Sequence, residues 1–265
     1  MFKQRLLTTL VLLPLVLIVI YYAPSLVLAG ILLFLVAACS WEWTKLIPCD
    51  RLEYKLGYIL VVLLMIWVCS FELSIWLITG LIAWLFVLLA VVAYPRSQFY
   101  WGYPIVVGAA GLLFLSLFSN AFIQLYSRQY GQDLIVYVLC IIWATDTGAY
   151  LVGKRWGKHK LIPMVSPGKT IEGMLGGCVV ALFVAVIGYF IFKPHSIAVW
   201  FLVAVLTMGI SMVGDLLISL LKRRVHLKDS GHILPGHGGM LDRLDSSIAA
   251  LPLFYFALSF VRFGH

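Results

Sequence analysis

Leu73–Tyr94, LSIWLITGLIAWLFVLLAVVAY, runs for 22 residues without a charged side chain. A helix of that length covers about 33 Å, enough to cross the ~30 Å hydrocarbon core of a bilayer. Further apolar runs lie at Leu6–Tyr22, Ser25–Leu46, Leu56–Cys69, Pro104–Leu125, Leu134–Val152, Met174–Phe192, Ile197–Leu221 and Ser247–Val261. The reading is therefore nine spans. The run Leu56–Cys69 is short and nearly touches the next, which leaves eight as the alternative count.

Composition agrees with a membrane protein. Of 265 residues 63% are hydrophobic and 11% charged, and the mean hydropathy is +1.05, whereas soluble domains carry about 25% charged residues. The chain reads as one all-α membrane domain, a polytopic helix bundle over residues 1–265. Its N-terminal spans occupy 1–133, and a more polar half occupies 134–265. The formal charge of +8 does not signal nucleic acid, because the basic residues sit in short clusters between apolar runs. Lys3 and Arg5 precede the first run as in a signal peptide, but no A-x-A site follows, so an uncleaved first helix is expected. Cys39, Cys49, Cys69, Cys140 and Cys178 form no C-x-x-C pair, and the six histidines show no zinc spacing.

The basic residues set the expected orientation. With nine spans, all 19 Lys and Arg fall on one side except Arg128, Lys193 and Arg262. The positive-inside rule puts that side and the N-terminus in the cytoplasm, and the C-terminus outside. Two cytoplasmic loops, 153–173 and 222–246, are then longer and more polar than the rest.

An ionisable group within a span is costly and marks function unless it reaches the interface. Glu42, about four residues from the end of its run, is expected to be an interfacial anchor. Asp146 and Asp215 differ, since each lies six residues inside its span, roughly 9 Å deep. Their small neighbours Ala144, Gly148 and Gly214 would leave room for a ligand. Asp242 and Asp245, three apart before the last span, share a helix face. Four carboxylates converging on one leaflet repel unless cations neutralise them, and hard oxygen donors suit Mg²⁺ completed by substrate phosphates. A Mg²⁺ nucleotide or phosphate site is the expectation, with one cation or a second beside it.

Ser166-Pro167-Gly168-Lys169-Thr170 ends like a P-loop, but Pro163 stands where that motif needs glycine and no strand is expected before it. A lysine and hydroxyls at the start of a helix still suit an anion. The later loop is more specific. It reads Ser219-x-x-Lys222-Arg223, then Lys228-Asp229-x-Gly231, then Leu234-Pro235-x-His237-Gly238-Gly239, and closes on Asp242-Arg243-Leu244-Asp245. Cations there would meet phosphates, and glycines would let backbone N–H groups approach an anion. This loop resembles the signature of the phosphatidate cytidylyltransferases at every fixed position. Asp146–Tyr150 and Ser166–Gly173 are similar to that family's upstream elements, so the resemblance covers about residues 140–246.

The resemblance implies a bacterial inner-membrane enzyme of phospholipid biosynthesis, its site facing the cytoplasm, that transfers CMP from CTP to phosphatidate to give CDP-diacylglycerol and pyrophosphate. Asp215, Asp242, Lys228 and Asp245 are the catalytic candidates. Ser166, Lys169, Thr170, Lys222, Arg223, Asp229, His237, Gly238, Gly239 and Arg243 are the candidates for substrate contact. Mg²⁺ would be held by Asp215 and Asp242, with Asp146 behind them, and a homodimer is compatible with this reading. A CTP-dependent polyprenol kinase shares the same metal-and-nucleotide logic. An ion-coupled transporter would call for inverted repeats and midplane charges, which the sequence lacks.

Overall fold

The computed structural model describes residues 13–47, 51–231 and 238–264. α1 (Leu13–Tyr22) is the described part of the first expected span. There follow α2 (Ser25–Trp43), prolonged by a 3₁₀ turn at Thr44–Leu46, α3 (Leu52–Phe71), α4 (Leu73–Val92), the short α5 (Gln98–Trp101) and α6 (Pro104–Tyr126). The second half holds α7 (Gly131–Trp156), the strands β1 (Lys160–Ile162) and β2 (Ser166–Thr170), α8 (Ile171–Phe192), α9 (Ile197–Arg224) and α10 (Leu241–Ala257). Among the described residues seven helices, α2 to α4 and α6 to α9, are long and apolar enough to cross a membrane. α10 is shorter, at 17 residues. The molecule is an all-α polytopic bundle, as expected.

The third span is not short. α3 begins at Leu52, a turn before the apolar run, because Glu53 and Lys55 extend the helix without adding hydropathy. In the same way α7 runs on to Trp156 and α9 to Arg224, so Asp146 and Asp215, six residues inside their apolar runs, stand more than two turns inside their helices.

The bundle is apolar outside and inside. Phe86, Phe183 and Phe190 are each at least 65% exposed, as a lipid-facing surface permits. Many interior polar groups are satisfied locally or across helices, although Glu42 Oε1, Trp84 Nε1, Ser119 Oγ and Tyr137 OH are buried without a hydrogen-bond partner among the described residues. Thr145 and Thr207 donate to the carbonyls of Ile141 and Val203 one turn back, at 2.8 and 2.7 Å. Asn120 of α6 donates to Ile66 O of α3 at 2.9 Å, and Trp43 of α2 to Val107 O of α6 at 2.9 Å. One core runs from Leu32 on α2 through Phe114 on α6 to Leu251 on α10.

Small residues set how closely the later helices approach. A Cβ on Gly177 would lie 2.6 Å from Thr145 O, and one on Gly148 would lie 2.8 Å from Gly176 O, so α7 and α8 meet backbone to backbone, the small-residue packing favoured in membranes. Gly214 likewise faces Asp245 O of α10, 2.5 Å from where its Cβ would stand. The expectation that Gly148 and Gly214 leave room for a ligand is therefore corrected: neighbouring helices take that space.

A second correction concerns the P-loop-like segment. Ser166–Thr170 is a strand, paired antiparallel with β1 in the register Lys160 with Thr170 and Ile162 with Ser166. Lys169 thus rides on a hairpin, not on the first turn of α8. Leu161, Ile162 and Val165 pack on Val91 of α4 and on Leu216 and Leu220 of α9, which fixes the hairpin against the helix that carries Asp215.

Candidate active site

A polar cavity of about 400 Å³ opens where α7, α9 and α10 meet, lined by Asp146, Asp215, Asp229, Asp242 and Asp245 together with Lys222 and Arg243. Three helices and a loop deliver five carboxylates to one space. Trp143 and Ile142 of α7 and Ser246 and Ser247 of α10 complete the wall.

Two lysines hold two of these carboxylates. Lys169 Nζ lies 2.8 Å from Asp215 Oδ2, each side chain about 30% exposed, and Ser219 Oγ donates to Asp215 Oδ1 at 3.3 Å. Lys222 Nζ lies 2.6 Å from Asp242 Oδ1, with side-chain exposures of 13% and 10%. Asp242 Oδ2 accepts further bonds from Ser230 N at 2.8 Å and Gly239 N at 3.3 Å, and lies 3.0 Å from Ser230 Oγ, whose single proton it shares with Glu42 Oε2. Burial works to raise the Asp242 carboxyl, but these hydrogen bonds and the Lys222 ammonium outweigh it and hold it below the ordinary carboxylate value. Asp242 is thus the point where the two flanks of the 222–246 loop are tied together.

The other expected residues fall in two groups. Asp146, Asp229, Asp245 and Arg243 border the cavity with those above. Arg223 instead turns to the hairpin, its Nε donating to Val165 O at 3.3 Å. Thr170 caps α8, its hydroxyl accepting from Gly173 N at 3.1 Å, and Ser166 opens β2 opposite Ile162. Lys228 is exposed. Gly238 takes a positive φ of 85°, a conformation open to glycine at little cost. His237 lies outside the described residues.

Glu42 is not an interfacial anchor. It is fully buried, its Oε2 accepting from Ser230 Oγ at 2.9 Å and from Leu241 N, at the start of α10, at 2.8 Å. Beside it Lys45 Nζ donates to Ser230 O at 3.1 Å, and Arg224 Nη1 to Leu46 O at 3.2 Å. Sequence reasoning missed Ser230, Lys45 and the inward turn of Glu42. The available signal was the pair of flanking tryptophans, Trp41 and Trp43, of which Trp43 is wholly buried.

The cavity suits a ligand bearing several negative charges and a counter-ion. Five carboxylates supply the hard oxygens that Mg²⁺ takes. Among the described residues no three Asp, Glu, His or Cys side chains converge tightly enough to form a ready-made metal site, and ammonium groups sit on Asp215 and Asp242 instead.

A family model described as the cytidylyltransferase family matches residues 3–261. A phosphatidate cytidylyltransferase of Haemophilus influenzae is 33% identical over 98% of this chain and 100% of its own length. One of Pseudomonas aeruginosa is 36% identical over 96% of each. One of Bacillus subtilis reaches 43% over 56% of this chain and 55% of its own.

Proposed function

Because the chain belongs to the cytidylyltransferase family, we propose that the cavity between α7, α9 and α10 is where CTP and phosphatidate react to give CDP-diacylglycerol and pyrophosphate. The enzyme is a nucleotidyltransferase embedded in a bacterial membrane. The observation that carries the site assignment is the convergence of Asp146, Asp215, Asp242 and Asp245, from three helices, on one polar space shared with Lys222 and Arg243.

The reaction needs a phosphate oxygen of the lipid to attack the α-phosphorus of CTP while pyrophosphate leaves. Phosphatidate is already largely ionised near neutral pH, so no general base is required. The protein's share is positioning and charge neutralisation. Lys169 and Lys222, held by Asp215 and Asp242, are aimed to exchange a carboxylate for a phosphate oxygen when the nucleotide enters. Arg243 lies on the same wall. Asp146, Asp215 and Asp242 would hold Mg²⁺, which when bound supplies positive charge to the triphosphate. An apolar outer surface keeps the lipid's tails in the bilayer while its headgroup meets the nucleotide at the cytoplasmic face.

Purified chain in detergent, given phosphatidate, Mg²⁺ and labelled CTP, should yield a lipid-soluble cytidine product. Labelled γ-phosphate on the lipid, with no cytidine, would instead mark a kinase.

Two further results are expected. A reporter fused after residue 265 should be extracytoplasmic, since nine spans with a cytoplasmic N-terminus leave only Arg128, Lys193 and Arg262 outside; a cytoplasmic reporter would refute the odd span count. Lys228 is exposed and six residues beyond Lys222, further than topology needs a cation. Lys228→Ala should therefore raise KM for CTP or phosphatidate, or lower kcat, with insertion intact. Unchanged kinetics would reduce Lys228 to a solvated surface charge.

A further inference from the structure

We propose that Glu42 is a positioning residue for nucleotidyl transfer: from the N-terminal half of the bundle it sets the Ser230–Asp242 junction and the start of α10. The proposal rests on the nucleotidyl-transfer reading above and extends the site to α2, which lies outside the motifs at residues 140–246.

Four observations carry it. A carboxylate with no exposed surface is costly unless it is bonded, and the bonds Glu42 makes go to two points of one loop, Ser230 Oγ and Leu241 N. Ser230 is shared: the same hydroxyl lies 2.9 Å from Glu42 Oε2 and 3.0 Å from Asp242 Oδ2. A shift of Glu42 is therefore passed through one atom to a cavity-lining aspartate. The loop backbone is also moulded on the carboxyl group, since a Cβ on Gly231 or on Gly239 would run into it. Finally Lys45, one turn on from Glu42, fixes the carbonyl of the same Ser230, so side chain and main chain of that residue are held from one side. An ordinary helix cap would need only the Leu241 bond.

Glu42 touches no cavity wall itself, and its effect is on geometry. Displacement of reacting groups by about 1 Å costs on the order of 10² in rate. In full-length protein in detergent, Glu42→Leu, which fills the space without an acceptor, should lower kcat by about 10²-fold while KM for CTP stays within about twofold. Glu42→Gln, whose amide oxygen can still accept from Leu241 N, should recover to within about 10-fold of the parent. Ser230→Ala should cost roughly 10-fold in kcat, and the Glu42→Leu/Ser230→Ala double variant should be no worse than Glu42→Leu, because both act through one junction.

A kcat for Glu42→Leu within about twofold of the parent, a loss confined to KM, or additive losses in the double variant would each overturn the proposal. If Glu42→Leu does not give a monodisperse protein, Ser230→Ala decides alone, and an unchanged kcat there sinks the proposal. The parent chain keeps the two readings apart: no cytidine product from the parent rejects the transferase reading, whereas an active parent with unaffected variants rejects only the role of Glu42.

Discussion

Asp215→Asn is expected to lower kcat by about 10²- to 10³-fold, the loss typical of removing one strong electrostatic stabiliser. The substitution keeps volume and removes the cavity-lining charge to which Lys169 Nζ is paired at 2.8 Å. Asp242→Asn should lose a similar factor, since its charge holds Lys222 Nζ at 2.6 Å and its Oδ2 gathers three donors from the loop. If both carboxylates serve one bound cation, the double variant should be little worse than either single one, because groups that act as a unit do not add. The measurement is steady-state turnover of labelled CTP at saturating phosphatidate. Multiplied losses would mean that the two aspartates work separately, and the shared-cation arrangement would be abandoned.

Lys222→Met should damage both stability and rate. The Lys222–Asp242 pair keeps only 13% and 10% of its side-chain surface exposed, and removing one partner strands a poorly solvated carboxylate at a cost of about 3 kcal/mol. A clear drop in the thermal midpoint is expected, with on the order of 10²-fold lost from kcat. Adding Asp242→Asn removes the stranded charge. The double variant should regain much of the lost midpoint and none of the lost rate. A single variant as heat-stable as the parent would show that the pair contributes nothing to folding.

What could be seen in the sequence, and what could not, divides along the range of the contacts. Asp146, Asp215, Asp242 and Asp245 stood out because a charge within or beside an apolar run is expensive without a purpose, and the cavity brings all four together. The helices were legible for the same reason, apart from ends such as Leu52–Lys55, where polar residues continue a helix that hydropathy stops counting. Glycines misled, because Gly148 and Gly214 read equally well as space for a ligand or for another helix, and only the fold decides. The hairpin was hidden by its length, since β1 has three residues and β2 contains both Pro167 and Gly168, poor strand formers by composition. Lys169 reads from the sequence as a phosphate contact, while its pairing with Asp215 joins a hairpin strand to α9 and is visible only in the fold. Glu42 was furthest from view. Its distance from the helix end allowed an interfacial reading, and its partners are 188 and 199 residues away.

That last separation bears on how the protein is made. Ribosomes add roughly 5–20 residues per second, so Glu42 reaches the bilayer on the order of 10–40 s before Leu241 leaves the ribosome. α7 and α8 meet along their glycine seam soon after synthesis, being neighbours in the chain. The junction of Glu42, Ser230 and Asp242 closes only when α10 arrives. A nascent chain that has not yet delivered α10 therefore holds Asp146 and Asp215 in its helices without Asp242, Asp245 or the clasp that arranges them, and the site is assembled only once α10 has joined the bundle.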